Sequence, residues 1–234
     1  ILLLFICLLK PDLLFFSRLH LYATLPTFIR LLCIANIVRS ADLIQPFPIF
    51  GTPPAPKVHL IQHIGSGYLG VMKVIPANRE FSAKVELSVL SECADSPFII
   101  QLIDYFTLER ISYIFLEYAP FRSLDDLTQL ADGIGSEKCT LFALEILLAI
   151  QHLHKRRILH RDIKPENVFL LISGHVKLGD FSASTHVDPK TNKARGMCCT
   201  YMTRPPEVWN YEHYSYPVDV WAFGISIYNI ITNT

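Results

Sequence analysis

The chain has 234 residues and a formal net charge of zero, so it carries no electrostatic footprint for nucleic acid. Hydrophobic residues make up 51% and charged ones 18%, which is enough for a packed core and too apolar for a disordered chain. The six cysteines, Cys7, Cys33, Cys93, Cys139, Cys198 and Cys199, form no C-x-x-C pair. They suggest neither a zinc site nor a disulfide framework, so a reduced, cytoplasmic chain is expected.

Residues 1–58 read as an apolar N-terminal extension ending in a proline-rich linker. The run 1–9 is shorter than the roughly 20 apolar residues a spanning helix needs. Residues 19–38 are long enough but contain His20, Pro26, Arg30 and Asn36. Membrane association is expected only through residues 1–38, if at all. Pro46, Pro48, Pro53, Pro54 and Pro56 then mark an extended linker.

From residue 59 the texture is that of a folded domain. Residues 58–64 read as a strand leading into Gly65-Ser66-Gly67-Tyr68-Leu69-Gly70. That G-x-G-x-x-G is weak evidence alone, because dinucleotide folds use it too. Here it is followed by the strand-like 71–75 rather than a helix, which favours a phosphate-covering hairpin. Residues 82–85 look β-like, and 98–106 and 111–118 alternate as strands do. Residues 139–154 place Leu141, Leu144, Ile146, Leu147, Ile150 and Leu153 at helical spacing. Residues 176–178 read as a strand. Residues 218–231 read as a helix apolar on all sides and therefore buried. Strands first and helices later predict an α+β fold in two lobes, divided at residues 59–119 and 120–234. The start at Ile1 and the end at Thr234, inside a helical apolar pattern, are those expected of a fragment or an incomplete gene model.

The most informative segment is His160-Arg161-Asp162-Ile163-Lys164-Pro165-Glu166-Asn167. Phosphoryl transfer asks for positioned charge: a base near the acceptor hydroxyl, cations on the phosphates and oxygen ligands for the metal. Asp162 and Asn167 are five residues apart, so one short loop can face an acceptor and a metal together, with Lys164 between them.

This segment resembles the H-R-D-x-K-x-x-N catalytic loop of eukaryotic Ser/Thr protein kinases. The resemblance implies a two-lobed kinase fold with a small β-rich N-lobe and a helical C-lobe that is truncated. It also implies transfer of the γ-phosphate of ATP, with Mg2+, to a Ser or Thr hydroxyl of a protein substrate. Asp162 would be the base, Lys164 the phosphate contact, and Asn167 and Asp180 the metal ligands. Asp180 sits in Leu178-Gly179-Asp180-Phe181-Ser182, which is similar to the D-F-G element with Ser182 in place of glycine. His160 would pack in a regulatory spine, and Arg161 would pair with an activation-loop phosphate. Thr200 aligns with the threonine that contacts the catalytic aspartate. Pro205-Pro206-Glu207 resembles A-P-E, and Asp219 in Asp219-Val220-Trp221 would hold the backbone of the catalytic loop.

For the nucleotide, the resemblance implies contacts from Ile64, Gly65, Ser66, Gly67, Gly70 and Val71. Phe81-Ser82-Ala83-Lys84-Val85 resembles V-A-I-K, so Ala83 would touch adenine and Lys84 would hold the α- and β-phosphates. The backbone of Glu117 and Ala119 would bind adenine, with Phe169 beneath it. Ribose contact would fall to Ser123 or Asp125.

Three departures qualify the reading. Glu86-Leu87-Ser88-Val89-Leu90 resembles the helix that follows the lysine, yet Glu86 is only two residues from Lys84, so most of that helix is expected to be missing. Ser182 replaces a glycine and restricts the backbone. The activation-loop threonine of related kinases aligns with Gly196. Together these favour, as an alternative, a pseudokinase or scaffold that binds nucleotide or partners without efficient transfer. Gly174-His175-Val176-Lys177-Leu178 resembles the cyclic-nucleotide-dependent group, in which Glu166 would face basic residues N-terminal to the acceptor.

Overall fold

A computed structural model describes residues 57–62, 67–130 and 134–232. Ile64, Gly65, Ser66 and the apolar and proline-rich stretch before residue 57 lie outside the described residues. The chain divides into two compact units. Among the described residues, one comprises 57–80 with Ile103–Tyr118, and the other Phe81–Leu102 with 119–232.

The first unit is built on a four-stranded sheet of β1 (Lys57–Gln62), β2 (Leu69–Ile75), β3 (Leu102–Leu108) and β4 (Ile111–Glu117), in the order β1-β2-β4-β3. β1 and β2 are antiparallel around the glycine loop, as expected, and β2 is also antiparallel to β4. Directly opposed residues share a face, and faces alternate along a strand. Ile61, Met72 and Phe115 therefore form one apolar face with Val74 and Tyr113 beside them. Lys73 belongs to the opposite face with Val71, Ile75 and Ile114. β3 turns into β4 through Glu109 and Arg110, both at positive φ (49° and 66°). That is the two-residue turn whose twist matches the flanking strands.

The second unit opens with α1 (Glu80–Glu92), and here the structure overturns the sequence reading. Residues 82–85 are helix, not strand, and the helix thought to be mostly missing runs for 13 residues. Pro76 and a 3-10 turn at Ala77–Arg79 lead into it. Ala83, Glu86, Val89 and Leu90 are its buried residues, and their spacing is helical. The chain leaving α1 is anchored by two hydrogen bonds: Leu178 N–H donates to Phe98 O at 2.9 Å, and Ile100 N–H donates to Leu178 O at 3.0 Å.

After α2 (Leu124–Leu130) comes α3 (Ser136–Lys155), the long helix expected from periodicity. Phe142, Ile146, Ala149, Ile150 and Leu153 are buried. Leu141, Leu144 and Leu147, on the other side of the helix, are exposed. Buried Glu145 on α3 accepts from Val176 N–H at 2.8 Å and pairs with His175, tying the helix to the hairpin of β6 (Val168–Leu170) and β7 (Val176–Leu178). β5 (Ile158–Leu159) pairs with β8 (Thr185–His186). The short α4 (Pro206–Trp209) and the 16-residue α5 (Pro217–Thr232) follow.

The expectation that α5 is buried all round does not hold. Val218, Asp219, Ala222, Ser226 and Ile230 are buried, while Val220, Trp221, Tyr228 and Ile231 are exposed. Hydropathy cannot tell these faces apart. The presence of packing partners decides between them. Among the described residues no helix is long and apolar enough to cross a membrane.

Candidate active site

The loop from His160 to Asn167 connects β5 to β6 and is shaped by a 3-10 turn at Pro165–Asn167. Proline at the first position of that turn suits its fixed φ and missing N–H. Both carboxylate oxygens of Asp162 are engaged. Oδ1 accepts from the Thr200 hydroxyl at 2.7 Å. Oδ2 lies 3.0 Å from Lys164 Nζ and accepts from Asn167 Nδ2 at 3.1 Å. Lys164 Nζ also donates to Thr200 Oγ1 at 2.9 Å, closing a ring of carboxylate, ammonium and hydroxyl. The side chains of Asp162 and Lys164 each keep 21% exposure, so a substrate can reach them.

The loop is held from beneath by Asp219 of α5, which is fully buried. Its carboxylate accepts from His160 N–H and Arg161 N–H, both at 2.9 Å, and contacts His154 Nε2 at 2.8 Å. Arg161 sits at φ 68°, a conformation that costs a side-chain-bearing residue about 1–3 kcal/mol unless its surroundings enforce it. The Asp219 clamp on its amide provides that enforcement. His160 Nδ1 accepts from Asp162 N–H at 3.2 Å while Nε2 faces Gly179 O at 3.1 Å. That pattern fixes the neutral Nε2–H tautomer. The His160 ring also meets buried Phe181 edge-on, with centroids 5.1 Å apart.

Register brings a second candidate oxygen donor, Asp180, to the same end of the hairpin. β6 and β7 pair Val168 with Leu178, and Gly179 N–H donates to Asn167 O at 2.9 Å, so Asn167 and Asp180 leave the hairpin side by side. Asn167 Nδ2 points back at Asp162, which turns its Oδ1 the other way. Asp180 is left-handed (φ 55°, ψ 77°), and its Oδ1 accepts from Ser182 N–H at 3.3 Å. The positive φ thus falls on Asp180, while Ser182 lies within an ordinary 3-10 turn and carries no strain from lacking the glycine. An amide oxygen and a carboxylate are the hard donors that suit Mg2+, which commonly uses one or two carboxylates plus phosphate oxygens and water. The donor set fits that ion.

Arg161 is already occupied. Its guanidinium donates to Ala183 O at 2.7 Å, to Tyr214 Oη at 3.0 Å and toward Ser184 O at 3.4 Å. Tyr214 in turn donates to Gly196 O at 3.0 Å. Ser123 also has another job. It caps α2 in a reciprocal box: its hydroxyl and Asp126 Oδ2 are 2.6 Å apart, and each side chain takes the other's backbone N–H at 3.1 Å. Asp125, whose carboxyl is raised by burial and by neighbouring Asp126, lines a cavity of about 260 Å³ with Thr128, Lys164, Glu166, Thr200 and Asn229.

Comparison with known proteins shows the family. A family model described as the protein kinase domain matches residues 50–234. The chain belongs to the protein kinase family. It is 31% identical over 169 residues to Aurora/IPL1-related protein kinase 2 of Caenorhabditis elegans, covering 72% of this chain and 54% of that protein. It is 29% identical over 189 residues to an Aurora kinase of Debaryomyces hansenii, covering 78% and 46%. It is 30% identical over 188 residues to human ribosomal protein S6 kinase alpha-1, covering 76% and 25%. The chain thus spans about half, or less, of the length of these curated relatives.

Within the kinase fold, the strand expected to carry two of the nucleotide contacts is a helix. Lys84 and Ala83 are not on a strand: Lys84 projects from the exposed side of α1, and Ala83 is fully buried within it. Their resemblance to V-A-I-K is a local coincidence of letters, because the proline and turn before residue 80 start a helix there. A lysine that the sequence reading passed over, Lys73, does lie on a strand. It lies mid-strand in β2, three residues after Gly70, and is only 7% exposed. Val71-Met72-Lys73-Val74 carries the pattern of a strand lysine directly behind the glycine loop, and that was the available signal. Gly67 is at φ 70°, and a Cβ added at Gly70 would lie 3.3 Å from Leu116 O. Phe169 packs its ring onto Gly179, where a Cβ would approach Phe169 Cε2 to 2.8 Å.

Proposed function

We propose that the chain is the catalytic part of an ATP:protein Ser/Thr phosphotransferase, and the ring of Asp162, Lys164 and Thr200 is the observation that carries this. The Asp162 carboxylate accepts the acceptor hydroxyl's proton, with Thr200 and Asn167 fixing its orientation. Lys164 sits where an ammonium can neutralise the transferring phosphate. Asn167 and Asp180 are the residues that would hold Mg2+, which supplies charge neutralisation on the phosphates when bound. Val71, Glu117 and Ala119 are the adenine contacts of this reading, and Lys73 takes the phosphate-holding role first read onto Lys84.

Loss of a positioned base typically costs about 100- to 10,000-fold in rate. Asp162→Ala should therefore reduce transfer from ATP to a mixed Ser/Thr peptide library into that range while the protein stays folded by circular dichroism. Unchanged transfer in Asp162→Ala would sink the reading. Lys73→Met should lose transfer and Lys84→Met should keep it; the reverse outcome would return the role to Lys84. The cavity that places Asp125 and Glu166 beside Lys164 supports a basic residue near the acceptor. Peptides with arginine N-terminal to the acceptor should be preferred over alanine versions, and Asp125→Asn should narrow the difference.

A further inference from the structure

We propose that Cys198 and Cys199 are a modification site at which hydrogen peroxide closes a reversible disulfide between neighbouring residues, pulling Thr200 away from Asp162. The two sulfurs already touch, at 3.4 Å. Consecutive side chains ordinarily diverge, and here the backbone prevents it. Cys199 is left-handed at φ 65°, and Arg204 clamps both carbonyls, Nε on Cys198 O at 2.9 Å and Nη2 on Cys199 O at 2.8 Å. That guanidinium is itself stacked on Trp209, 4.5 Å from the ring centroid. Cys198 is partly exposed and Cys199 is nearly buried, so an oxidant meets Cys198 first.

The chemistry divides between the two thiols in the same order. The Cys198 thiol is brought down to about 7 by the hydrogen bond from Cys199, with Tyr214 and Arg161 assisting against burial. Cys199 is pushed well up by the same contact and by burial, and keeps its proton. The Cys198 thiolate attacks one peroxide oxygen, the O–O bond breaks, and hydroxide leaves and is protonated to water. The resulting sulfenic acid is attacked by Cys199 sulfur as its S–H proton departs. The S–O bond breaks and a second water leaves. Two thiols are oxidised by two electrons and one peroxide is reduced to two waters.

Closing the bond brings the sulfurs from 3.4 Å to about 2.05 Å. Consecutive Cα atoms lie about 3.8 Å apart, below the usual disulfide span of about 4.4–6.8 Å, so the bond is strained and readily reduced. Such a bond suits a reversible change better than a permanent staple. The strain falls on Cys199, whose neighbour Thr200 holds Asp162 at 2.7 Å. A misplacement of about 1 Å near the chemistry can cost on the order of 100-fold in rate.

The test is mass spectrometry of the full chain before and after dilute hydrogen peroxide, with alkylation of remaining thiols and tryptic cleavage. The fragment starting at Gly196 contains only these two cysteines. It should lose two hydrogens, resist alkylation, and regain both thiols with dithiothreitol. Two alkylated thiols, an oxygen retained on Cys198 beside a free Cys199, or a bond to Cys93 or Cys139 would each overturn the proposal. A second arm rests on the proposed phosphotransferase activity. Peroxide should lower transfer about 100-fold in the native chain and leave Cys199→Gly, a substitution its positive φ accommodates, largely unaffected. Equal loss in both would detach the inhibition from the disulfide. Absence of transfer in the untreated chain would count against the phosphotransferase reading and leave the mass result to decide the disulfide.

Discussion

Thr200 is the residue whose hydroxyl joins Asp162 to Lys164. It donates to Asp162 at 2.7 Å and accepts from Lys164 at 2.9 Å, so its hydroxyl sets the orientation of both. A hydrogen bond to a charged group contributes about 1.5–3 kcal/mol, and each 1.36 kcal/mol is about tenfold in rate. Thr200→Val, nearly the same shape, should therefore lower kcat by roughly 10- to 100-fold with the peptide KM little moved, measured by steady-state kinetics. Cys198 gives a second residue-scale test, this time in pH. With its thiol near 7, the thiolate fraction falls away below that value, and so should the rate of iodoacetamide labelling. Cys93, pushed up to about 11 by burial, should stay inert through neutral pH. A Cys198 labelling rate that keeps rising up to pH 9 would contradict the contact described. The catalytic loop was legible in the sequence because its chemistry is local: Asp162, Lys164 and Asn167 are neighbours in the chain. The part played by Arg161 was not, because the groups it binds at Ala183, Ser184 and Tyr214 are brought to it only by folding.

At the scale of elements, the hairpin of β6 and β7 is what unites Asn167 with Asp180. Gly179 matters there for space: a Cβ would lie 2.8 Å from Phe169 Cε2 and 3.0 Å from Ile100 Cγ1. Gly179→Ala should cost about 1–3 kcal/mol through overpacking, read from urea unfolding. Ser123→Ala should cost about 1 kcal/mol by removing the cap of α2. Elements also show where sequence reasoning failed. A short apolar run is ambiguous between strand and helix, and in residues 82–85 the letters of a familiar motif outweighed the longer helical spacing of Ala83, Glu86 and Leu90. The two faces of α5 were illegible for a different reason. The helix is apolar all round, and which side is buried depends on what packs against it.

For the whole molecule, the proposed ligand provides the most direct test. A ligand that binds only the native state stabilises it by about 2.7 kcal/mol at 100 times its Kd. A non-hydrolysable ATP analogue with Mg2+ should raise the melting temperature of the native chain. The increase should persist in Asp162→Ala, since Asp162 is proposed to serve the acceptor hydroxyl, and shrink in Lys73→Met. A shift that is the same in all three would argue that the nucleotide is held without Lys73.

The strand β2 combines two duties that alternate along its length. Met72 belongs to the apolar face with Ile61 and Phe115, and Lys73 belongs to the other. Because the side-chain period is two, parity governs what this strand tolerates. One residue inserted between Gly70 and Met72 would exchange the lysine and the methionine between the two faces. Two inserted residues would restore both. A deletion or insertion series across this point should therefore alternate between failure and function rather than decline smoothly with length.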